Sequence, residues 1–169
     1  MNILALDIAT HTGWACSIDG QRFSGTWDCS RGPRESRGMV FFRFRSELAA
    51  LLQGSEAVFD LCVREQAHQR GGAATEIALG LSGVLEEFLA RLATPCAITT
   101  VHSATLKKWT TGSGRADKDA MIAAANKRWA SLYPSGPTVS DDEADARAML
   151  EYAIEQYQVT IRRMPGATT

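Results

Sequence analysis

The sequence predicts an α/β fold: a mixed five-stranded sheet, with three antiparallel strands first and helices packed on both faces. A turn signal joins two short apolar runs near the N-terminus, and the rest of the chain alternates between strand-like and helix-like apolar patterns. With 169 residues, 45% of them hydrophobic, the chain can bury a full core without disulfides. We therefore expect a single domain over residues 1–160 and a flexible C-terminal tail over 161–169.

The first three strands are predicted from the N-terminal pattern. Residues 2–7 form an apolar run, and residues 13–18 and 21–27 flank the dipeptide Asp19-Gly20. Asp-Gly supplies the two positive-φ positions of a type I′ turn, which is the tight turn that matches the twist of a hairpin. Three antiparallel strands should therefore open the fold.

Alternating helices and strands are predicted after the hairpin. Apolar residues at intervals of three and four indicate amphipathic helices, and short continuous apolar runs indicate buried strands. In chain order these are a helix over 34–53, a strand over 58–63, a helix ending near residue 94, a strand over 96–101, a helix through Met121 and Trp129, and a last helix starting at Ser140. Ser140 and Glu143 form a capping-box pair, which marks that start.

Composition excludes a membrane protein and a secreted one. No apolar run is long enough to span a bilayer, and the N-terminus lacks the basic region of a signal peptide. We therefore expect a cytoplasmic protein without membrane contact. Its four cysteines have no Cys-x-x-Cys spacing, so no function is assigned to them.

Two basic segments are hidden by a net charge of −1 and a pI near 6.3. The first contains Arg31, Arg34, Arg37, Arg43 and Arg45, and the second contains Lys107, Lys108, Arg115, Lys118, Lys127 and Arg128. Either segment alone is typical of a solvated face. Phosphate binding becomes the better interpretation if both flank a cluster of carboxylates.

Four carboxylates are the candidate chemical centre. Asp7 and Glu65 end apolar predicted strands, and Asp142 and Asp145 lie three residues apart, on one face of the last helix. Each alone has an ordinary explanation, since Asp forms turns at strand ends and acids favour the first turn of a helix. Together they would repel one another unless cations neutralised them. They therefore predict one metal site, and two hard divalent ions about 4 Å apart suit phosphodiester hydrolysis.

The same residues carry a resemblance to the RuvC family of Holliday junction resolvases, in matching order and at similar intervals. The matching segments are Ile3-Leu4-Ala5-Leu6-Asp7 with Gly13-Trp14-Ala15, Val63-Arg64-Glu65-Gln66, Lys107 through Lys118 with Thr111-Gly112-Ser113-Gly114-Arg115, and Asp142-Glu143-Ala144-Asp145-Ala146. The resemblance spans nearly the whole chain. It implies an RNase H-like fold, a homodimer, and paired symmetric nicking of a four-way DNA junction that leaves 5′-phosphate and 3′-hydroxyl ends.

The resemblance also implies roles for individual residues. Asp7, Glu65, Asp142 and Asp145 would hold two Mg²⁺ ions per subunit, with Mn²⁺ as a substitute, and no nucleotide cofactor is implied. Lys107 and Lys118 would lie beside the scissile phosphate, where lysines stabilise developing charge, and Lys108 is an alternative to Lys107. DNA contacts are expected from Lys108, Gly112, Gly114, Arg115, His68, Arg70, Arg34 and Arg37.

The chain departs from the family pattern at two places. Ile8-Ala9 stands where the bacterial enzymes commonly have Pro-Gly, and His68 stands where an aromatic residue that stacks in the junction is usual. Such divergence suits a phage or prophage branch of the family. His68 could still stack on a base or contact a phosphate, and the alternative is a solvated loop histidine.

Two other functions remain open. A junction-binding protein without cleavage activity would use the same basic segments but would have no need for all four acids. A phosphotransferase of the actin and sugar-kinase type is suggested by Asp7-Ile8-Ala9-Thr10-His11-Thr12-Gly13, which resembles that superfamily's first phosphate loop. Its length counts against it, because 169 residues hold only one of the two lobes.

Overall fold

The fold is that of a computed structural model, which describes residues 1–55, 58–66 and 72–163. Its strands are β1 (Ile3–Asp7), β2 (His11–Ile18), β3 (Gln21–Asp28), β4 (Leu61–Glu65) and β5 (Ala97–Val101). Its helices are α1 (Gly38–Ser55), α2 (Ala73–Ala90), α3 (Ser103–Thr111), α4 (Lys118–Trp129) and α5 (Asp141–Arg163), with a 3₁₀ turn at Ala130–Leu132.

The five strands form one sheet in the order β3-β2-β1-β4-β5. The first three are antiparallel, while β4 runs parallel to β1 and β5 runs parallel to β4. Asp19 and Gly20 have φ values of 50° and 84°, as the predicted tight turn requires. The predicted α/β class, the mixed sheet and its antiparallel start are confirmed.

Helices cover both faces of the sheet, as predicted. Side chains alternate between faces along a strand, so Leu4 and Leu6 pack on one side and Ile3 and Ala5 on the other. The first side is covered by α1 and α2, and the second by α3, α4 and α5. Helix α5 lies across β1 and β2. None of the described helices is long and apolar enough to cross a membrane.

Several boundaries differ from the sequence prediction. Helix α1 starts at Gly38 rather than at residue 34, and α3 was not predicted at all. Helix α5 starts after Ser140 as expected, but only half of the capping box forms. The Ser140 hydroxyl accepts from the Glu143 N–H at 3.3 Å, while the Ser140 N–H donates to Thr138 Oγ1 at 3.1 Å instead of to Glu143.

The C-terminal end also differs slightly. Helix α5 continues to Arg163, three residues into the segment predicted as a tail, and residues 164–169 lie outside the described residues.

Candidate active site

Strand alternation brings Asp7 and Glu65 to the same face of the sheet. Leu6 of β1 is in register with Arg64 of the parallel strand β4, so Asp7 and Glu65 are the next residues along the two strands. Both share the side of Ile3, which packs under α5. Arg64 points to the other face and pairs with Glu86 of α2 at 3.0 Å.

A close contact at Gly13 brings the start of α5 to Asp7. Gly13 of β2 is directly opposite Asp7 in the antiparallel register. A Cβ atom at Gly13 would lie 1.9 Å from the carbonyl oxygen of Asp142, so any side chain there would collide with the helix backbone. The absence of a side chain therefore lets α5 deliver Asp142, and Asp145 one turn later, to the end of β1.

The electrostatics show that the four predicted acids face one another. Burial and the charges of Asp145, Glu65, Asp142 and Asp141 raise the pKa of Asp7 well above its ordinary value of 3.8. A carboxyl group whose neighbours are four other acids holds its proton, because ionising it would add a further like charge. The sequence prediction that distant acids converge on Asp7 thus has a direct physical signature.

Asp145 and Asp142 show the same effect. Burial, followed by the charge of Glu65, raises the pKa of Asp145 to about 7, while the ammonium of Lys107 acts in the opposite direction. Burial and then Asp141 raise the pKa of Asp142. One oxygen of Asp145, Oδ1, is buried and has no hydrogen-bond partner within the described part of the chain. A buried polar atom without a partner is costly, and such an atom is a candidate ligand.

The two predicted lysines lie beside the acids. Lys107 of α3 is near enough to Asp145 to lower its pKa. Lys118 starts α4 after the N-cap Asp117, and its ammonium forms an ion pair with Asp141. This hydrogen-bonded contact with Asp141 is the main cause of a raised pKa at Lys118. Both lysines therefore sit at the rim of the carboxylate cluster.

The donor set suits a hard divalent cation, although it is not arranged as a finished coordination site. Within the part of the chain that the structure describes, no three His, Cys, Asp or Glu side chains are placed so that they could hold an ion together. The fit rests on donor chemistry, since the cluster offers carboxylate oxygens, burial and like charge raise the pKa of three of its acids, and one buried oxygen has no hydrogen-bond partner among the described residues. The metal site therefore stays a prediction.

A second charged cluster holds α5 in place from its other side. Arg147 is 0% exposed, and its guanidinium donates to Ser24 Oγ at 2.9 Å, Gly136 O at 2.7 Å, Ser135 Oγ at 3.0 Å and Glu143 Oε1 at 2.8 Å. Burial would raise the pKa of Glu143, but hydrogen bonds from Thr138, Ser24 and Arg147 hold it below its ordinary value. We call these residues the Arg147 network; it ties α5 to β3 and to the loop before α5.

Comparisons with solved structures identify the fold. The RuvC structure of Thermus thermophilus matches with a TM-score of 0.69 and 15% identity, covering 95% of this chain and 97% of that one. T. thermophilus RuvC in complex with a Holliday junction substrate matches with a TM-score of 0.72 and 13% identity, over 95% and 96% of the two chains. This chain has the RuvC fold. No family model and no curated protein matches the sequence.

A third structure extends the comparison. The yeast mitochondrial Holliday junction resolvase Ydc2 matches with a TM-score of 0.55 and 8% identity, over 94% of this chain and 82% of that one. The RuvC and RNase H-like fold predicted from the sequence motifs is thus confirmed, although identity between the chains is low. The suggested phage or prophage origin stays a prediction.

The glycine-rich segment of this RuvC fold has structural reasons for its glycines. Gly112 ends α3 with a φ of 87°, a left-handed conformation that glycine adopts without strain. A Cβ atom at Gly114 would lie 3.1 Å from the carbonyl oxygen of Ala104, so Gly114 packs closely against the start of α3. Lys108 and Arg115 are exposed on either side of this turn. Their predicted DNA contacts stay predictions.

Two of the remaining predicted DNA-binding residues, Arg34 and Arg37, are not brought into the cluster. Arg34 and Arg37 precede α1, at the edge of the sheet where β3 ends, and α1 covers the face opposite α5. Arg37 pairs with Glu76 of α2 at 2.7 Å. His68 and Arg70 lie outside the described residues.

Sequence reasoning did not assign three residues at or beside the site. Asp141 was explained by the helix dipole alone, yet it holds Lys118. His11 starts β2, its Nε2 lies 3.5 Å from Asp28, and when protonated it lowers the pKa of Asp142. Arg147 was given no role from the sequence. The position of Asp141 next to Asp142 was the one signal in the sequence that could have identified it. Arg147 has no such signal, because nothing near it in the sequence distinguishes it from a surface arginine.

Proposed function

We propose that this protein is a divalent-metal-dependent endonuclease that resolves four-way DNA junctions by paired symmetric nicks. The observation that carries the proposal is the convergence of Asp145, Glu65 and Asp142 on Asp7, within a RuvC fold. T. thermophilus RuvC, whose structure matches this fold, forms a complex with a Holliday junction substrate. Mutually repelling carboxylates reduce stability, which makes such a cluster hard to explain without a cation that binds there.

The four acids would be the ligands of Mg²⁺ or Mn²⁺, two ions in each subunit. The chemistry that bound divalent ions supply is activation of a water molecule and neutralisation of phosphate charge. Asp7, on which the charges of the other three acids act, would be one of these ligands. Lys107 and Lys118 would attract the backbone of DNA towards this negative cluster and stabilise the charge that develops on the phosphate. The products would be a 5′-phosphate and a 3′-hydroxyl.

The protein would act in the cytoplasm as a homodimer on branched DNA. A two-fold symmetric junction presents two equivalent strands, and a two-fold dimer presents one site to each of them. Residues 1–160 would form the complete nuclease domain of each subunit. Sedimentation in the presence of a junction would establish the stoichiometry, and a single subunit per junction would contradict paired cleavage.

The decisive experiment is incubation of the protein with a labelled four-way junction and Mg²⁺, beside a linear duplex of the same sequence. Wild type should nick two opposite strands of the junction, while Asp7→Asn and Asp145→Asn should bind it without nicking. Wild-type binding without nicking would favour a non-cleaving junction-binding protein. ATP turnover would favour the phosphotransferase alternative.

A metal-binding measurement tests the site independently of cleavage. Titration of Mn²⁺ should raise the melting temperature of wild type, because an ion that binds only the folded chain stabilises it by about 2.7 kcal/mol at one hundred times its dissociation constant. Asp7→Asn should remove most of this stabilisation. Equal stabilisation of the Asp7→Asn variant would show that the ion binds elsewhere.

A further inference from the structure

An open groove of about 710 Å³ lies between α3 and α5, outside the carboxylate cluster. Its lining residues are Ala104, Thr105, Lys108, Trp109, Gly114 and Tyr152. We call it the α3–α5 groove. It combines two aromatic rings, an exposed ammonium group and the close turn at Gly114, and none of these features is explained by the metal site.

The position of the groove links it to the acids. Tyr152 follows Asp145 by seven residues on α5, which is two helical turns, so both side chains lie on one side of the helix about 10.5 Å apart. On α3, Lys107 faces Asp145 and the next residue, Lys108, lines the groove. A DNA strand running from the acids to the groove would cover this distance in at most about three nucleotides, because an unstacked strand advances by more than the roughly 3.4 Å rise of stacked DNA.

The aromatic side of the groove is rigid. The rings of Trp109 and Tyr152 meet edge to face, with centroids 5.4 Å apart. The Trp109 indole N–H donates to Glu155 at 3.2 Å, and the Arg128 guanidinium lies 4.3 Å from the ring centroid of Trp109. Trp129 stacks on Trp109 with centroids 5.4 Å apart. A ring held on several sides loses little freedom when a ligand packs against it.

The chemistry of the groove matches a nucleotide. Aromatic faces with a neighbouring cation bind unpaired bases, because the base stacks on the ring while the ammonium pairs with the phosphate. A base in intact duplex is already stacked, whereas branched DNA offers unpaired bases at low cost. We infer that the α3–α5 groove binds one unstacked nucleotide of the strand to be cut, within about three positions of the scissile phosphate. This inference rests on the proposed nuclease function.

The test couples a change in the protein to a change in the DNA. After the cut position has been mapped with Mg²⁺, junction binding is measured in EDTA with single abasic sites at one to four positions on each side of it. For wild type, one of these positions should weaken binding about tenfold, in the range expected for a lost base-aromatic stack. Tyr152→Leu should weaken binding of the intact junction by a similar factor and should be insensitive to that abasic site.

Matched variants separate stacking, charge and folding. Tyr152→Phe keeps an aromatic ring, so its binding should remain sensitive to the abasic site. Tyr157→Leu makes the Tyr-to-Leu change further along α5, and its binding should also remain sensitive to the abasic site. Lys108→Gln should weaken binding of every junction alike and reduce the salt dependence of binding. Arg91→Gln, at the end of α2, is the charge control and should leave binding unchanged. Lys108 is exposed, so its variant tests the groove even if Tyr152→Leu fails to fold.

The outcomes distinguish failure of the inference about the groove from failure of the proposed nuclease function. Failure of wild type to bind any junction overturns the proposed function and the groove together. If wild type binds the junction normally and no single abasic site weakens that binding, the inference about the groove is overturned but the proposed function is not. The groove is also overturned if Tyr152→Leu retains the wild-type abasic dependence, or if Lys108→Gln binds every junction as wild type does.

Discussion

Helix α5 carries two charged clusters that differ in how their charges are matched. Around Asp7 the acids face one another, burial and like charges raise the pKa values of Asp7, Asp142 and Asp145, and Asp145 Oδ1 has no partner among the residues that the structure describes. In the Arg147 network, two residues further along, a fully buried guanidinium makes four hydrogen bonds and lowers the pKa of Glu143. The Arg147 network satisfies its buried charges, whereas the acids around Asp7 repel one another and reduce stability unless a cation binds. If the proposed function is correct, this contrast separates a structural buried charge from a functional one.

Removal of the Arg147 guanidinium should produce the largest loss of stability. Arg147→Met leaves Glu143 buried without its cation, and breaking a buried ion pair costs about 3–5 kcal/mol. Urea unfolding measures the change. Arg37→Met is the matched control, since it breaks an exposed pair with Glu76 and should cost less than about 1 kcal/mol. Similar losses in the two variants would show that burial does not distinguish the clusters.

The pH dependence of stability should reveal the repulsion among the acids. The pKa of Asp145 is about 7 when folded and 3.8 ordinarily, so the folded chain holds this proton more tightly. Stability from this proton is therefore present below about pH 4 and is lost as the pH rises to about 7, an effect on the order of 4 kcal/mol in metal-free buffer.

Asp145→Asn isolates that contribution. The variant should become more stable relative to wild type as the pH rises from 4 to 8, measured by urea unfolding with EDTA present. A constant difference between the two proteins across this range would mean that the acids are not mutually repelling in solution.

Two glycine substitutions should change stability in opposite directions. Gly13→Ala forces a Cβ against the backbone of Asp142 and should cost about 1–3 kcal/mol through overpacking. Gly83→Ala, on α2, meets no atom within 4 Å and should stabilise the helix by about 0.5–1 kcal/mol. Thermal melts measure both. A neutral Gly13→Ala would show that α5 can move away without cost, and the proposed positioning of Asp142 would then be wrong.

Lys118 should have the smallest effect on stability. Its side chain is 79% exposed, so loss of the pair with Asp141 in Lys118→Gln should change unfolding free energy by less than about 1 kcal/mol. Junction cleavage should nevertheless fall by about 10²–10³-fold if this ammonium stabilises the phosphate. Lys118→Arg keeps the charge and should retain more activity than Lys118→Gln. Unchanged cleavage by Lys118→Gln would remove Lys118 from the site.

Much of the fold was predictable because its signals are local. The Asp19-Gly20 turn and the apolar runs around it determine the first three strands, and long periodic segments determine α1, α2 and α5. Helix α3 was missed because only Leu106 and Thr110 of its nine residues are buried, too few to show a helical period. A short helix packed by its neighbours has no strong sequence pattern.

The acids of the site were predictable, but their supports were not. Asp7 and Glu65 could be found because carboxylates at the ends of apolar strands are conspicuous, and the family resemblance supplied their grouping. The burial of Arg147 depends on the distant Ser24 and on the carbonyl of Gly136. The need for Gly13 depends on a backbone contact with Asp142. Such contacts between distant segments leave no local signal.

The alternation of β4 makes the acidic cluster sensitive to chain length at one place. Arg64 faces α2 and Glu65 shares the face of Asp7 only because strand neighbours point to opposite sides. Suppose that one residue directly after Glu65 were deleted and that β4 moved by one position along the sheet. The guanidinium of Arg64 would then lie beside Asp7, in the place of the Glu65 carboxylate. The acids would then gain a permanent counter-ion. A descendant with such a shift would keep its architecture and its basic rim, yet would have no use for dissolved metal.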